Sequence, residues 1–254
     1  MLIAITREVS AAIERCELTH LARTRIDVAL ARRQHEAYEQ RLVAAGCTIE
    51  RLPAGDDMPD SVFVEDVGVV FDELAIVTRP GAAARRAEIS AVADALCRFR
   101  TLRWIEAPAT LDGGDVLVVG GRVFVGRSSR TNDMGIEQVR QMLDPYGYTV
   151  RGIDVRGCLH LKSAVTAVGR DRLVINSEWV GADNFDGLAL VAIDPSEPLA
   201  ANVLRIGDTI IYSDAYPRTR RRLERCGLRV STVDVSETAK AEGGVTCCSL
   251  IFAA

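Results

Sequence analysis

Apolar positions along this chain fall into short blocks whose period switches between two and about 3.6. Met1 to Arg7 reads as a strand, and Arg7 to Arg25 has little periodicity and reads as a loop. Ile26 to Ala45 carries Val28, Leu30, Ala31, Ala37, Tyr38, Leu42 and Val43 mostly on one stripe, which predicts a helix stopped by Gly46. Cys47 to Leu52 alternates and predicts a strand. A strand pair is predicted over Val62 to Phe71 and Leu74 to Thr78, then a helix over Ala83 to Phe99 and a strand over Leu102 to Glu106. The pattern recurs. Asp115 to Val119 pairs with Val123 to Gly126, followed by a helix over Asn132 to Leu143 and a strand over Tyr148 to Ile153. A third pair is Ser163 to Val168 with Leu173 to Ser177, after which Glu178 to Ile193 follows neither period. A fourth is Asn202 to Ile206 with Thr209 to Ser213, then a helix over Pro217 to Cys226 and a strand over Leu228 to Val235.

The unit of hairpin, helix and strand returns about every 40 to 50 residues, a spacing found in repeat architectures. A fifth unit would pair Val245 to Phe252 with the first strand and close a ring without exposed edges. An ordinary mixed α/β sheet accounts for the same alternation. No linker or low-complexity tract divides the chain, so one domain over 1–254 is expected.

Composition narrows the function classes. The chain has 254 residues, 48% hydrophobic, which suffices for a well-buried core. A net charge of -4 argues against a broad basic surface for nucleic acid. No apolar run reaches transmembrane length, and the first strand is too short for a signal peptide. The seven cysteines are scattered, with no CxxC pair and no Cys/His spacing suited to zinc. A cytoplasmic protein with free thiols, no metal and no organic cofactor is expected.

Chemistry-bearing residues gather where loops meet apolar blocks. Cys247 and Cys248 follow Gly243-Gly244 at the start of Val245 to Phe252. Taken alone, both suit inert packing. Of three histidines, His20 and His35 read as surface residues, while His160 stands before an apolar block, as Cys247 does. A core histidine is the plainer explanation; a general acid/base for a cysteine is the functional one. Asp60, Glu65 and Asp66 cluster at the entrance of one predicted strand, and the adjacent Glu65 and Asp66 within it must point to opposite faces. Asp112 and Asp115 flank Gly113-Gly114, as a turn or as acids at a strand mouth. Arg85 and Arg130 follow the first two hairpins, and an arginine at a helix start opposes the macrodipole. Acids suit a cation, arginines a carboxylate, and a thiol with a base suits an electrophilic carbon. A substrate with an amino-acid head and a guanidinium tail satisfies all three.

These residues lie in stretches that resemble the dimethylarginine dimethylaminohydrolases, of the guanidino-group-modifying (pentein) superfamily. The stretches are Pro59 to Asp66, Ile76 to Ala82, Thr110 to Val116, Ser129 to Asn132, Leu159 to Ser163 and Gly244 to Ser249, in family order over nearly the whole chain. The resemblance implies a five-bladed α/β propeller. It implies Cys247 as nucleophile with Cys248 a bystander, His160 as general acid/base, and Asp112 as the acid that orients it. It assigns Asp66 to the guanidinium, with Asp60 and Glu65 lining the site. Arg85 and Arg130 match the residues that hold the substrate carboxylate. Leu18 matches a residue of a covering loop, and Ala241 a substrate-binding position. The implied reaction hydrolyses dimethylarginine or monomethylarginine to citrulline and an alkylamine through a covalent S-alkylthiouronium. The expected partner is that small molecule, with no nucleic acid and no membrane; assembly as a homodimer is left open. An arginine deiminase or amidinotransferase uses a similar set of residues, and a non-catalytic amino-acid-binding propeller is the alternative from another class.

Overall fold

The computed structural model describes Met1–Ala254. In chain order the elements are β1 (Leu2–Arg7), α1 (Val28–Ala44), β2 (Cys47–Leu52), β3 (Gly68–Val70), β4 (Ala75–Val77), α2 (Ile89–Leu96) and β5 (Leu102–Trp104). They continue with β6 (Val116–Val119), β7 (Arg122–Arg127), α3 (Asp133–Leu143), β8 (Thr149–Asp154), α4 (Leu161–Ala164), β9 (Val165–Ala167), β10 (Arg172–Ile175) and β11 (Ala189–Ala192). The last are β12 (Leu204–Ile206), β13 (Thr209–Ser213), α5 (Pro217–Arg225), β14 (Arg229–Val233), α6 (Ser236–Ala239) and β15 (Leu250–Ala253).

The strands form five three-stranded sheets: β3-β4-β5, β6-β7-β8, β9-β10-β11, β12-β13-β14 and β15-β1-β2. In each, the middle strand is antiparallel to the first and parallel to the third. A tight turn makes the antiparallel pair, whereas a parallel pair needs a crossover, commonly a helix. α1, α2, α3 and α5 supply four of these crossovers. The fifth, from β10 to β11, has only a 3-10 turn at Ala182–Phe185, which is why Glu178 to Ile193 shows no helical period. The fifth sheet joins the first and last strands, with Leu2 opposite Ala253 and Ile5 opposite Leu250. That is the pairing a ring requires.

Local chemistry sets the helix limits. Asp27 caps α1 by accepting from Leu30 N at 2.9 Å, and Asn132 caps α3 by accepting from Gly135 N at 2.9 Å. The Glu197 carboxylate takes the Arg218 and Thr219 N–H groups that begin α5. Between neighbouring sheets the helices and strands interlock. Ile136, Val139 and Leu143 of α3 pack with Ile76, Val116 and Val125. Each such side chain contributes roughly 1.5–3 kcal/mol by leaving water.

Three expectations are corrected. Val62 to Val67 is not strand: Val64–Val67 is a 3-10 turn, and β3 starts only at Gly68. Glu65 and Asp66 therefore do not alternate between faces, and both are buried. A turn likewise replaces predicted strand at Asp115, at Ser163 and Ala164 in α4, and at Val245 to Cys248. His35 is not at the surface; it is buried beside Glu39, at 3.5 Å. Cys247 and Cys248 thus lie in a turn rather than on a strand, although Cys248 still packs into the apolar core.

Candidate active site

Those turns build the site. Each precedes the first strand of a sheet, and each carries one chemically active side chain toward a common centre. Asp66 is on the turn before β3, Asp112 immediately precedes the turn before β6, His160 precedes α4, and Cys247 is in the turn before β15. Glycine lets the turns approach closely. A Cβ on Gly114 would lie 2.6 Å from His160 Nδ1 and 2.7 Å from Asp66 Oδ1. Gly243 and Gly244 have the same cause: their absent side chains make room for the Phe63 ring and for Asn202. Room for protein packing, rather than for a substrate, explains this pair.

His160 stands between two carboxylates. Its Nε2 is 3.1 Å from Asp112 Oδ2, and its Nδ1 is 3.7 Å from Asp66 Oδ1. Asp112 is fixed in turn by Gly81 N–H at 2.9 Å on its other oxygen. Asp66 accepts from Arg85 Nη1 at 2.6 Å and from Gly114 N at 3.1 Å. Burial works against the His160 charge, but Asp66, the Asp112 hydrogen bond and Asp115 outweigh it and lift the imidazole to about 9. Asp66 shows the converse: burial pushes its carboxyl up, yet His160 and Arg85 hold it below the ordinary range. Asp66, Asp112 and His160 offer ligand atoms within 4.8 Å of one another, a spacing a cation can use. A protonated His160 between the two acids meets the same electrostatic need.

Cys247 is half-buried, and Gly244 N–H donates to its Sγ at 3.2 Å. Burial pushes the thiol up, the Glu65 and Asp66 charges add to this, and the result is about 12. Gly244 N–H and Lys162 act in the opposite direction. At neutral pH the resting pair is therefore a thiol and an imidazolium.

Cys247 and His160 line a cleft of about 300 Å³ with Asp60, Asp66, Arg85, Arg130 and Ala241. Three other sequence candidates do not line it. Asp112 lies behind His160. Glu65 turns to Lys162 Nζ, at 2.5 Å, and to Thr246 Oγ1, at 2.8 Å, behind the cysteine. Leu18, on the covering loop, packs against the apolar core instead. Arg85 is heavily engaged by Asp66, Glu88 and two backbone carbonyls, and one Nη1–H stays outside these bonds. A larger apolar cavity of about 980 Å³, lined by Trp179, Tyr216 and Cys158, shares Leu159, Glu242 and Gly243 with the cleft. It carries no catalytic constellation.

Two cleft residues had no sequence signal. Glu17 gives its N–H to Asp60 Oδ2 at 3.1 Å. Glu242 is the one non-glycine residue with positive φ, +59°. Its carboxylate accepts from three successive backbone N–H groups of the covering loop, Thr19, His20 and Leu21. Arg130 Nη2 meets the same loop at Thr19 Oγ1, 3.2 Å away. A glutamate before two glycines offers no pattern that marks such a latch.

A family model described as N,N dimethylarginine dimethylhydrolase, eukaryotic, matches residues 6–251. The N(G),N(G)-dimethylarginine dimethylaminohydrolase of Streptomyces coelicolor is 38% identical, over 97% of this chain and 95% of that protein. That of Pseudomonas aeruginosa is 37% identical, over 89% of this chain and 90% of that protein. Among solved structures, a cysteine-to-serine variant of the Pseudomonas aeruginosa enzyme complexed with citrulline superposes with a TM-score of 0.94, at 35% identity and 98% coverage of both chains. A histidine-to-glycine dimethylarginine dimethylaminohydrolase carrying an S-methyl-L-thiocitrulline adduct superposes with a TM-score of 0.93, at 34% identity, over 99% of this chain and 100% of that one. The N-terminal domain of a cyanobacterial arginine dihydrolase shares the fold, with a TM-score of 0.88 at 15% identity, covering 98% of this chain and 97% of that one. The chain belongs to the dimethylarginine dimethylaminohydrolase family, in the pentein superfamily.

Proposed function

We propose that this protein is a cysteine hydrolase that converts Nω-methylated arginines to citrulline and dimethylamine or methylamine. The observation that carries this reading is His160, bonded to Asp112 and facing the cleft that holds Cys247. The relatives named for this activity, and the solved relatives holding citrulline and a thiocitrulline adduct, support it. The chain over 1–254 acts as one catalytic unit, since the turns of four sheets supply the site.

The substrate guanidinium enters beside Asp66, and Arg130 with the free N–H of Arg85 takes its carboxylate. Asp60 and Ala241 line the amino-acid end, and the loop carrying Leu18 covers it. The cation beside Sγ stabilises the thiolate, and the thiol proton leaves to solvent. Sγ attacks the guanidinium carbon and forms a tetrahedral centre. His160, already protonated, gives its proton to the departing alkylamine as the C–N bond breaks. The S-alkylthiouronium remains. Neutral His160 then takes a proton from water as its oxygen attacks, and collapse of the second tetrahedral centre expels the Cys247 sulfur, which takes up the hydroxyl proton and returns to the resting thiol, leaving citrulline. Asp112 holds the imidazole and stabilises its charged form. Cys247 supplies the first nucleophile, water the second, and His160 serves as acid to the amine and as base to the water.

Incubation of the purified protein with dimethylarginine, monomethylarginine and arginine, followed by citrulline and amine assays, tests the proposal. Citrulline with stoichiometric alkylamine from a methylated arginine is expected. Release from arginine alone would reassign the protein as a deiminase, and none from any of the three would refute it.

A further inference from the structure

Asp115 lies outside the cleft and contacts no residue of the reacting set through its side chain, yet it is fully buried. Its Oδ1 accepts from Leu161 N at 2.9 Å, one residue beyond His160. Its Oδ2 accepts from Ser128 Oγ at 2.6 Å and from Thr131 Oγ1 at 2.7 Å. Both hydroxyls then pass the constraint on. Ser128 Oγ accepts from Arg130 N at 3.0 Å, and Thr131 Oγ1 accepts from Asp112 N at 3.1 Å.

Each hydroxyl has one hydrogen, and each spends it on Asp115. Their lone pairs are thereby turned toward the Arg130 and Asp112 amides. A carboxylate at 115 accepts both hydroxyl hydrogens and so leaves each oxygen free to accept from its amide; an NH2 group in place of Oδ2 would meet both hydroxyls donor to donor. Burial pushes Asp115 up and outweighs His160 and these donors, which favour its anion, so that it titrates at about 6. Above that pH it is an anion with three donors, which fits its surroundings. Gly126 completes the nest, because a Cβ there would lie 2.5 Å from Asp115 Oδ1.

We propose that Asp115 is a positioning residue that sets His160, Asp112 and Arg130 as one unit, so that acid/base and carboxylate recognition share a single buried anchor. The proposal rests on the hydrolase reading above for what those three residues do. It divides the two hydroxyls by function. Ser128 serves substrate binding through Arg130, with only a longer bond, 3.3 Å, from Thr131 N; Thr131 serves chemistry through Asp112.

The test is a kinetic split. With a methylated arginine, Ser128→Ala raises KM by about tenfold and kcat stays within roughly twofold, whereas Thr131→Val lowers kcat by about tenfold and KM stays within roughly threefold. Asp115→Asn, nearly isosteric, does both. The double variant adds little to it, and Ser128→Thr and Thr131→Ser restore the respective constants. Asp115→Asn also lowers the NMR titration midpoint of the His160 imidazole by about 1 pH unit, since one of the three carboxylates around the ring (Asp66, Asp112, Asp115) is lost. Thermal melts show which variants are folded. Folded variants with both constants unchanged, or both changed in one ratio, overturn the proposal. If the wild type releases no citrulline, the hydrolase reading falls, and the His160 titration in Asp115→Asn then decides alone; an unmoved midpoint overturns the anchor.

Discussion

Glu242 holds the covering loop closed, and its removal has a calculable effect. Three amides of the loop converge on one carboxylate, Thr19 N at 3.1 Å, His20 N at 2.5 Å and Leu21 N at 2.6 Å. A hydrogen bond to a charged acceptor is worth about 1.5–3 kcal/mol when buried. Here the loop amides are exposed and water competes, so about 1.5–2 kcal/mol for the whole set is the appropriate scale. The left-handed backbone at Glu242 opposes this, since that conformation costs a non-glycine residue about 1–2 kcal/mol. The two effects separate by choice of substitution. Glu242→Ala keeps the strain and loses the latch; Glu242→Gly loses both. The global melting temperature is therefore expected to fall in Glu242→Ala and to stay near the wild-type value in Glu242→Gly. Loop opening follows the latch alone, so both variants should speed amide hydrogen exchange at residues 19–21 by roughly 10- to 30-fold. KM should rise in both, because Arg130 also meets the loop at Thr19. Exchange at residues 19–21 that is unchanged in both variants would refute the latch.

Cys247→Ser is expected to keep the fold and lose all turnover, while Cys248→Ser keeps most of it; a covalent adduct found on Cys248 by mass spectrometry would sink the assignment. Because the reaction needs a protonated His160 and an ionised Cys247, and burial and the surrounding acids place these groups at about 9 and about 12 in the free protein, kcat/KM is expected to rise with pH to about 9 and then level off; a decline starting below pH 8 would contradict this assignment. Iodoacetamide alkylation of Cys247 in the free protein should keep accelerating beyond pH 9, and a plateau below pH 8 would contradict a thiol raised to about 12. Burial pushes Glu39 up, but His35, whose Nε2 lies 3.5 Å away, and hydrogen bonds from Arg51 and Thr6 depress it from the ordinary 4.5 to about 2. A depressed carboxyl stabilises the fold above its unfolded value. That stability, roughly 2–3 kcal/mol, is lost as pH falls from about 4.5 to about 2. In Glu39→Gln, urea denaturation at pH 6 and pH 3 should show a correspondingly smaller acid loss. Tyr38→Phe removes hydroxyl bonds to Val245 O and Ser249 Oγ on either side of the nucleophile, and should lower stability by about 1–2 kcal/mol in the same assay.

Strands and helices were legible because periodicity is a local property. Thr209 to Ser213 and Cys47 to Leu52 occur as the alternation predicts, and α1 differs from its predicted range only at its ends. The turns ahead of the first strands were not legible. Val62-Phe63-Val64 runs into Val67 as an apolar strand would, and nothing nearby tells that Glu65 meets Lys162 or that Asp66 meets Arg85. Those partners come from remote segments, and they make burial of the acids tolerable. His35 misled for the same reason: it lies in a charged helical run, but in the fold it is buried beside Glu39. The candidate site was found through residue types at loop ends and through family motifs. Its anchors were not, because Ser128, Thr131 and Glu242 look like ordinary loop residues until the chain is folded.

The pairing of β1 with β15 gives the fold a temporal order. Leu2 and Ala253 are separated by nearly the whole chain, so their contact closes the largest loop in the molecule. Loop-closure entropy must be met before such a contact rewards the chain, which makes it a late event in folding. The nucleophile sits in the turn immediately ahead of β15. Four sheets can therefore assemble while Cys247 is still unplaced, and no partly folded or partly synthesised chain presents the complete reactive centre. Activity on refolding should return later than secondary structure, as a report on the final step.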